Sequence, residues 1–61
     1  MKTIKQILMH RDNMTADEAD NQINDAKEQL AEYLKNGELD YAEDICSEFF
    51  GLEPDYLMEL L

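Results

Sequence analysis

The segment from Thr15 to Gly37, TADEADNQINDAKEQLAEYLKNG, constrains this chain more than any other. Its apolar residues Ala16, Ala19, Ile23, Ala26, Leu30 and Tyr33 follow one another at alternating steps of three and four, and Leu34 widens the stripe. That period places them on one side of an α-helix, which must be covered if the chain is to fold. The ends are marked as well. Thr15 with Glu18 three residues on forms a capping box, and Asp17 adds favourable charge at the helix N-terminus. Lys35 suits the negative C-terminus, and Gly37 can take the left-handed conformation that closes a helix.

The flanking segments repeat the pattern in shorter form. Ile4, Ile7, Leu8 and Arg11 follow helical spacing, and the turn residues Arg11 to Asn13 end that run. After Gly37, the sequence DYAE reads as a second capping box, with Asp40 as N-cap and Glu43 in the reciprocal place. Ala42, Ile45, Cys46, Phe49 and Phe50 form the buried face of the helix it starts, and Gly51 closes it. Pro54 suits a first helical position, and Leu57, Leu60 and Leu61 give a last short helix its apolar side. The expected fold is all-α: one domain spanning residues 1–61, built as a compact bundle of three to four short helices. Ile23, Leu30, Ile45, Phe49 and Leu57 are expected at its centre, and Met9, Met14 and Met58 outside it. A chain of 61 residues buries only about 60% of its unfolded surface, so the core is thin and an ordinary catalytic cleft is not expected.

Charge narrows the function. Fifteen Asp and Glu stand against five Lys and Arg, for a net charge of −10. Lys2, Lys5 and Arg11 fall in the first eleven residues, so the remainder holds fifteen acids against Lys27 and Lys35 alone, a charge of −13. Such a field repels nucleic acid and anionic membranes and draws basic partners inward. So much charge would suit a disordered chain, but 44% hydrophobic content at regular spacing indicates a folded one.

The last fifteen residues, SEFFGLEPDYLMELL, match a helix-turn-helix: small Ser47, turn Gly51, and apolar Leu52, Leu57 and Leu60. Yet Glu53, Asp55 and Glu59 occupy the outward face, where base edges and phosphates call mainly for Arg, Lys, Asn or Gln. The C-terminal pair is therefore expected to be helix-turn-helix-like in shape and not to bind DNA directly.

No reaction is indicated. Cys46 lies on an apolar face, where a thiol behaves as a small hydrophobe, and a single cysteine excludes an internal disulfide. The lone His10 has no second histidine as base or ligand and is expected at the surface or at a helix end. The run from Asp12 lacks the glycine of a calcium loop and has Ile23 where the bidentate glutamate belongs. Asp40, Glu43, Asp44 and Glu48 cluster within two helical turns and read as a solvated acidic face, so neither metal nor cofactor is expected. Met1 to Arg11 contains neither a signal peptide nor a membrane span, and the expected location is the cytoplasm.

The ordering IKQILMHRDNMTADEA, then GELDYAEDICSEFFGLEPDYLMELL, resembles a group of small acidic proteins of phages and prophages of Gram-positive bacteria. FGLEPDYL is the most specific part of the resemblance. Small phage proteins of this kind often inhibit or modify host machinery, defence nucleases included. What the resemblance and the charge imply together is a non-enzymatic protein-binding module, an inhibitor or nucleic-acid-mimicking decoy of a basic, nucleic-acid-handling host protein. The residues expected to meet that partner are Asp25, Glu28 and Glu32 on the long helix, and Glu53, Asp55 and Glu59 on the last. The alternative is a small structural or regulatory homo-oligomer, a homodimer for instance, packing through the heptad face of the long helix.

Overall fold

A computed structural model describes residues 2–61, which form five helices and, among the described residues, no strand. These are α1 (Ile4–Arg11), α2 (Ala16–Lys35), α3 (Leu39–Glu43), α4 (Ile45–Phe50) and a final 3₁₀ helix (Pro54–Glu59). A twenty-residue helix is about 30 Å long. Accordingly, α2 sets the long dimension of a molecule measuring 34 × 20 × 15 Å. α1 packs along α2, α3 and α4 fold back against it, and the 3₁₀ helix rests on α4.

α2 begins and ends as its sequence requires. Thr15 Oγ1 accepts from the Glu18 amide at 3.2 Å, and Glu18 Oε1 accepts from the Thr15 amide at 2.9 Å. At the other end, Gly37 takes φ +72°, its N–H donates to Leu34 O and that of Glu38 donates to Tyr33 O. This is a Schellman closure, which leads the chain directly back along α2. α1 opens with a box of its own, Thr3 with Gln6, and closes through Asn13 in the left-handed region at φ +55°.

Two elements differ from the sequence reading. Asp40 is not an N-cap: α3 starts at Leu39, Glu38 occupies the cap position, and no side chain caps that end. The tight turn after Gly37 already places Glu38 O as acceptor for the Ala42 amide, which draws Asp40 into the first turn. The segment from Asp40 to Phe50 is also not one helix. At Asp44 the ladder tightens to a three-residue bond, Asp44 N to Tyr41 O, before α4 resumes. The C-terminal pair keeps the helix-turn-helix order around Gly51 at φ +64°, but its second member is a 3₁₀ helix.

The core consists of Ile4, Leu8, Ala19, Ala26, Leu30, Ala42, Ile45, Cys46, Phe50 and Leu60, with no buried polar or charged residue among those described. Three alanines let the helices approach closely. Of the expected centre, Leu30 and Ile45 are buried, whereas Ile23, Phe49 and Leu57 pack half-buried around it. Adjacent residues on a helix point about 100° apart, so the two phenylalanines of α4 face different directions, and Phe50 rather than Phe49 reaches the centre. Phe50 takes that place at 3% exposure. Met14 also packs against the core, while Met9 and Met58 are exposed as expected. Leu34 and Leu61, read as apolar-face residues, are exposed.

Cross-element polar contacts hold the bundle in register. Arg11 Nη2 donates to Phe50 O at 2.7 Å, and Gln22 Nε2 donates to Phe49 O at 2.8 Å. Arg11 also forks onto Asp12 at 3.0 Å through Nε and Nη2, which holds the Asp12 carboxyl below its ordinary range. Lys5 pairs with Asp20 at 3.1 Å, in the open.

Candidate functional site

The outer side of α2 and the end of α4 enclose an open groove of about 370 Å³, lined by Asp25, Glu28, Gln29, Glu32 and Phe49. Its construction follows from the helix period. Ala26 and Leu30 face the core, so residues 25, 28, 29 and 32, spaced by three, four and seven, share the flank next to it. The Gln22 bond to Phe49 O ties the end of α4 beside that flank. Phe49, left half-buried by the inward turn of Phe50, then lines the groove.

Three of the six residues expected to meet a partner, Asp25, Glu28 and Glu32, are thus brought together. Among the described residues, none of the three forms an ion pair or accepts a side-chain hydrogen bond. Their carboxylates are exposed and held on one rigid helix. The other three lie elsewhere. Glu53 and Asp55 are exposed at the start of the 3₁₀ helix, and Glu59 has an intramolecular role, its Oε1 accepting from the Ile4 amide at 3.0 Å. Sequence reasoning missed Gln29 and Phe49 as groove residues. Gln29 was legible, four residues from Asp25 on the same flank, but Phe49 was not, because FF on an apolar face does not say which ring turns inward.

The remaining chemical groups are disposed as follows. Cys46 is fully buried, and burial pushes its thiol above the ordinary value of 9.0, with the negative charge of Glu59 adding to the effect. A thiol in that state packs as an apolar group. His10 is exposed in the last turn of α1, where a cation meets the terminal carbonyls favourably. Among the described residues, no three His, Cys, Asp or Glu side chains converge on a metal-sized site, and Asp40, Glu43, Asp44 and Glu48 do not form one. Tyr33 Oη lies 3.5 Å from Glu48 Oε2, long for a hydrogen bond, and its ring stacks on Tyr41 with centroids 5.6 Å apart. Burial first, and then the Glu48 charge, raise the Tyr33 pKa above 10.0. No helix among the described residues is long and apolar enough to cross a membrane.

Comparison with family models, with curated proteins and with solved structures returned no match.

Proposed function

We propose that this chain is a non-enzymatic acidic protein-binding module, and that the groove between α2 and Phe49 receives a basic surface of its partner. The observation that carries this reading is the coincidence, in one concavity, of three unpaired carboxylates with a half-buried aromatic ring. Carboxylates supply charge complementarity, which governs encounter rate and partner choice. A rigid aromatic ring supplies apolar area and a face on which a guanidinium can stack, the composition of an interface anchor. Asp25, Glu28 and Glu32 rise along α2 by about 4.5 and then about 6 Å, comparable to the phosphate spacing of a nucleic-acid strand. That spacing suits a decoy for a cytoplasmic protein that handles nucleic acid. The resemblance to small acidic phage proteins supports an inhibitory role against such a host protein.

Affinity capture from a bacterial lysate across a salt series tests the reading, with the Asp25→Lys, Glu28→Lys, Glu32→Lys triple variant and Phe49→Ala alongside. A basic protein captured by the parent chain at low salt, and by neither folded variant, is the expected result. Equal capture by the folded triple variant would overturn the assignment of the groove, and micromolar affinity for duplex DNA would overturn the exclusion of direct DNA binding.

Self-association through the heptad face has a different standing in light of the fold. Ala19, Ala26 and Leu30 are buried within the chain itself, so that seam is already covered. The apolar residues left open near the α2–α3 turn are Leu34, Leu39 and Tyr41. Sedimentation of Leu39→Glu beside the parent distinguishes a dimer built there from a monomer.

A further inference from the structure

The ten residues after Gly51 are attached to the rest of the molecule in a way no other element is. Past the Leu52 amide, which donates to Cys46 O at 3.1 Å, their backbone hydrogen bonds are internal: Tyr56 N to Glu53 O and Leu60 N to Leu57 O. The 3₁₀ helix has no side-chain cap and no buried residue of its own. A six-residue run of this type exceeds the three or four residues over which 3₁₀ geometry is common. Leu60 is the only fully buried anchor, with Leu52, Tyr56 and Leu57 half-buried against the core. Among the described residues, one side-chain hydrogen bond fastens the segment to the body, that of Glu59 Oε1 with the Ile4 amide. By contrast, the other cross-element ties, Lys5 to Asp20, Arg11 to Phe50 O and Gln22 to Phe49 O, all lie within residues 5–50.

From this geometry we propose that residues 52–61 are a detachable strap, which leaves the α1–α4 body as one unit while the body stays folded, and in doing so uncovers Cys46 and the apolar surface beneath Leu60. The body keeps its other caps and cross-ties after release, because apart from the Leu52 amide on Cys46 O and the Glu59 carboxylate on the Ile4 amide none of them is made by the strap. The Ile4 amide, on losing Glu59, becomes an ordinary first-turn donor that water can satisfy. Segments with few buried contacts and few hydrogen bonds to their surroundings open below the cost of global unfolding. Release therefore converts a sealed core edge into an apolar trough on α4, a surface distinct from the acidic groove of α2.

Cys46 is the only cysteine, so its labelling by an aromatic disulfide reagent reports release directly. In the full chain under native conditions, labelling is expected to be faster than global unfolding permits and to depend only weakly on urea. Glu59→Ala should accelerate it by about ten- to a hundredfold, the ratio that losing one hydrogen bond to a charged group implies. Amide exchange at Ala26 and Leu30 in α2 should stay far slower than labelling in that variant and keep the larger urea dependence of global unfolding. Leu60→Ala should act in the same direction. Wild-type labelling that shares the urea dependence of global unfolding would overturn the proposal without any variant. So would a Glu59→Ala protein whose labelling takes on the rate and urea dependence of α2 exchange.

Discussion

Leu8→Ala tests the placement of α1. Leu8 has 0% exposure, and with Ile4 it supplies the whole of α1's contribution to the buried core. Truncating such a leucine removes its transfer free energy and leaves a cavity, at a cost of about 3 to 5 kcal/mol. At about 0.05 to 0.15 kcal/mol per residue, a domain of this size has roughly 3 to 9 kcal/mol in all. The only ion pair between α1 and α2, Lys5 with Asp20, is exposed and worth at most about 1 kcal/mol, so it cannot compensate. Each kcal/mol moves the melting temperature of a small domain by about 4 to 8 °C, so a fall of at least about 12 °C is expected, or loss of cooperative melting altogether. Circular dichroism at the helical minimum during thermal and urea unfolding measures it. Met58→Ala, at a residue 82% exposed, is the control and should change stability by under about 0.5 kcal/mol. Cooperative melting of Leu8→Ala within about 4 °C of the parent would refute the reasoning, since α1 would then be a peripheral helix and the core would have to close without it. The same assay separates the two phenylalanines: Phe50→Ala should cost about 3 to 5 kcal/mol, and Phe49→Ala clearly less, because its ring is half-buried.

Other consequences are checked as readily. With a net charge of −10 and few ion pairs, moderate salt should raise the melting temperature through screening; a clear fall would mean that attraction dominates. The folded chain holds the Cys46 proton more tightly than the unfolded chain, whose thiol ionises near 9.0, so stability is complete below that pH and is lost as pH rises through the interval above it. Urea midpoints at about pH 8 and about pH 10 should differ in that sense, and Cys46→Ala should flatten the slope, leaving what Tyr33 contributes. Gly51→Ala should cost about 1 to 2 kcal/mol, read from the urea midpoint. No atom lies within 4 Å of the added methyl, so the cost is that of a left-handed backbone alone.

The parts of this fold that could be read from the sequence are those decided by neighbours in the chain. Thr15 with Glu18, Gly37 and Gly51 each act within a few residues, and each performs the expected local role. The capping box of Thr3 and Gln6 carried the same signal in TIKQ. What local pattern could not decide was set by packing at a distance. Asp40 forms a capping box on paper, but the closure after Gly37 starts the helix two residues early. The break at Asp44 reflects the need to turn Ala42 inward on α3 and Ile45, Cys46 and Phe50 inward on α4. For the groove, helical period alone placed Asp25, Glu28 and Glu32 on one flank, whereas the aromatic residue beside them depended on which phenylalanine α4 would bury. Glu59 was indistinguishable in the sequence from Glu53 and Asp55, and only the return of the chain to the start of α1 gives it a partner.

The bonds from Arg11 to Phe50 O and from Gln22 to Phe49 O bear on the order of folding. They satisfy the carbonyls at the end of α4 with groups 39 and 27 residues upstream, from two different helices. Six residues are too few to form a stable helix alone, and the last two carbonyls of this one gain their side-chain partners only once α1 and α2 lie beside it. Loop closure over those distances comes before the bonds can form. The α1–α2 pair is therefore the natural nucleus, and α4 consolidates late. Weakening either bond should then leave the folding rate nearly unchanged and appear almost wholly as faster unfolding. In a chain this short, two side chains that contribute little to how quickly the native state is reached thus lengthen its lifetime.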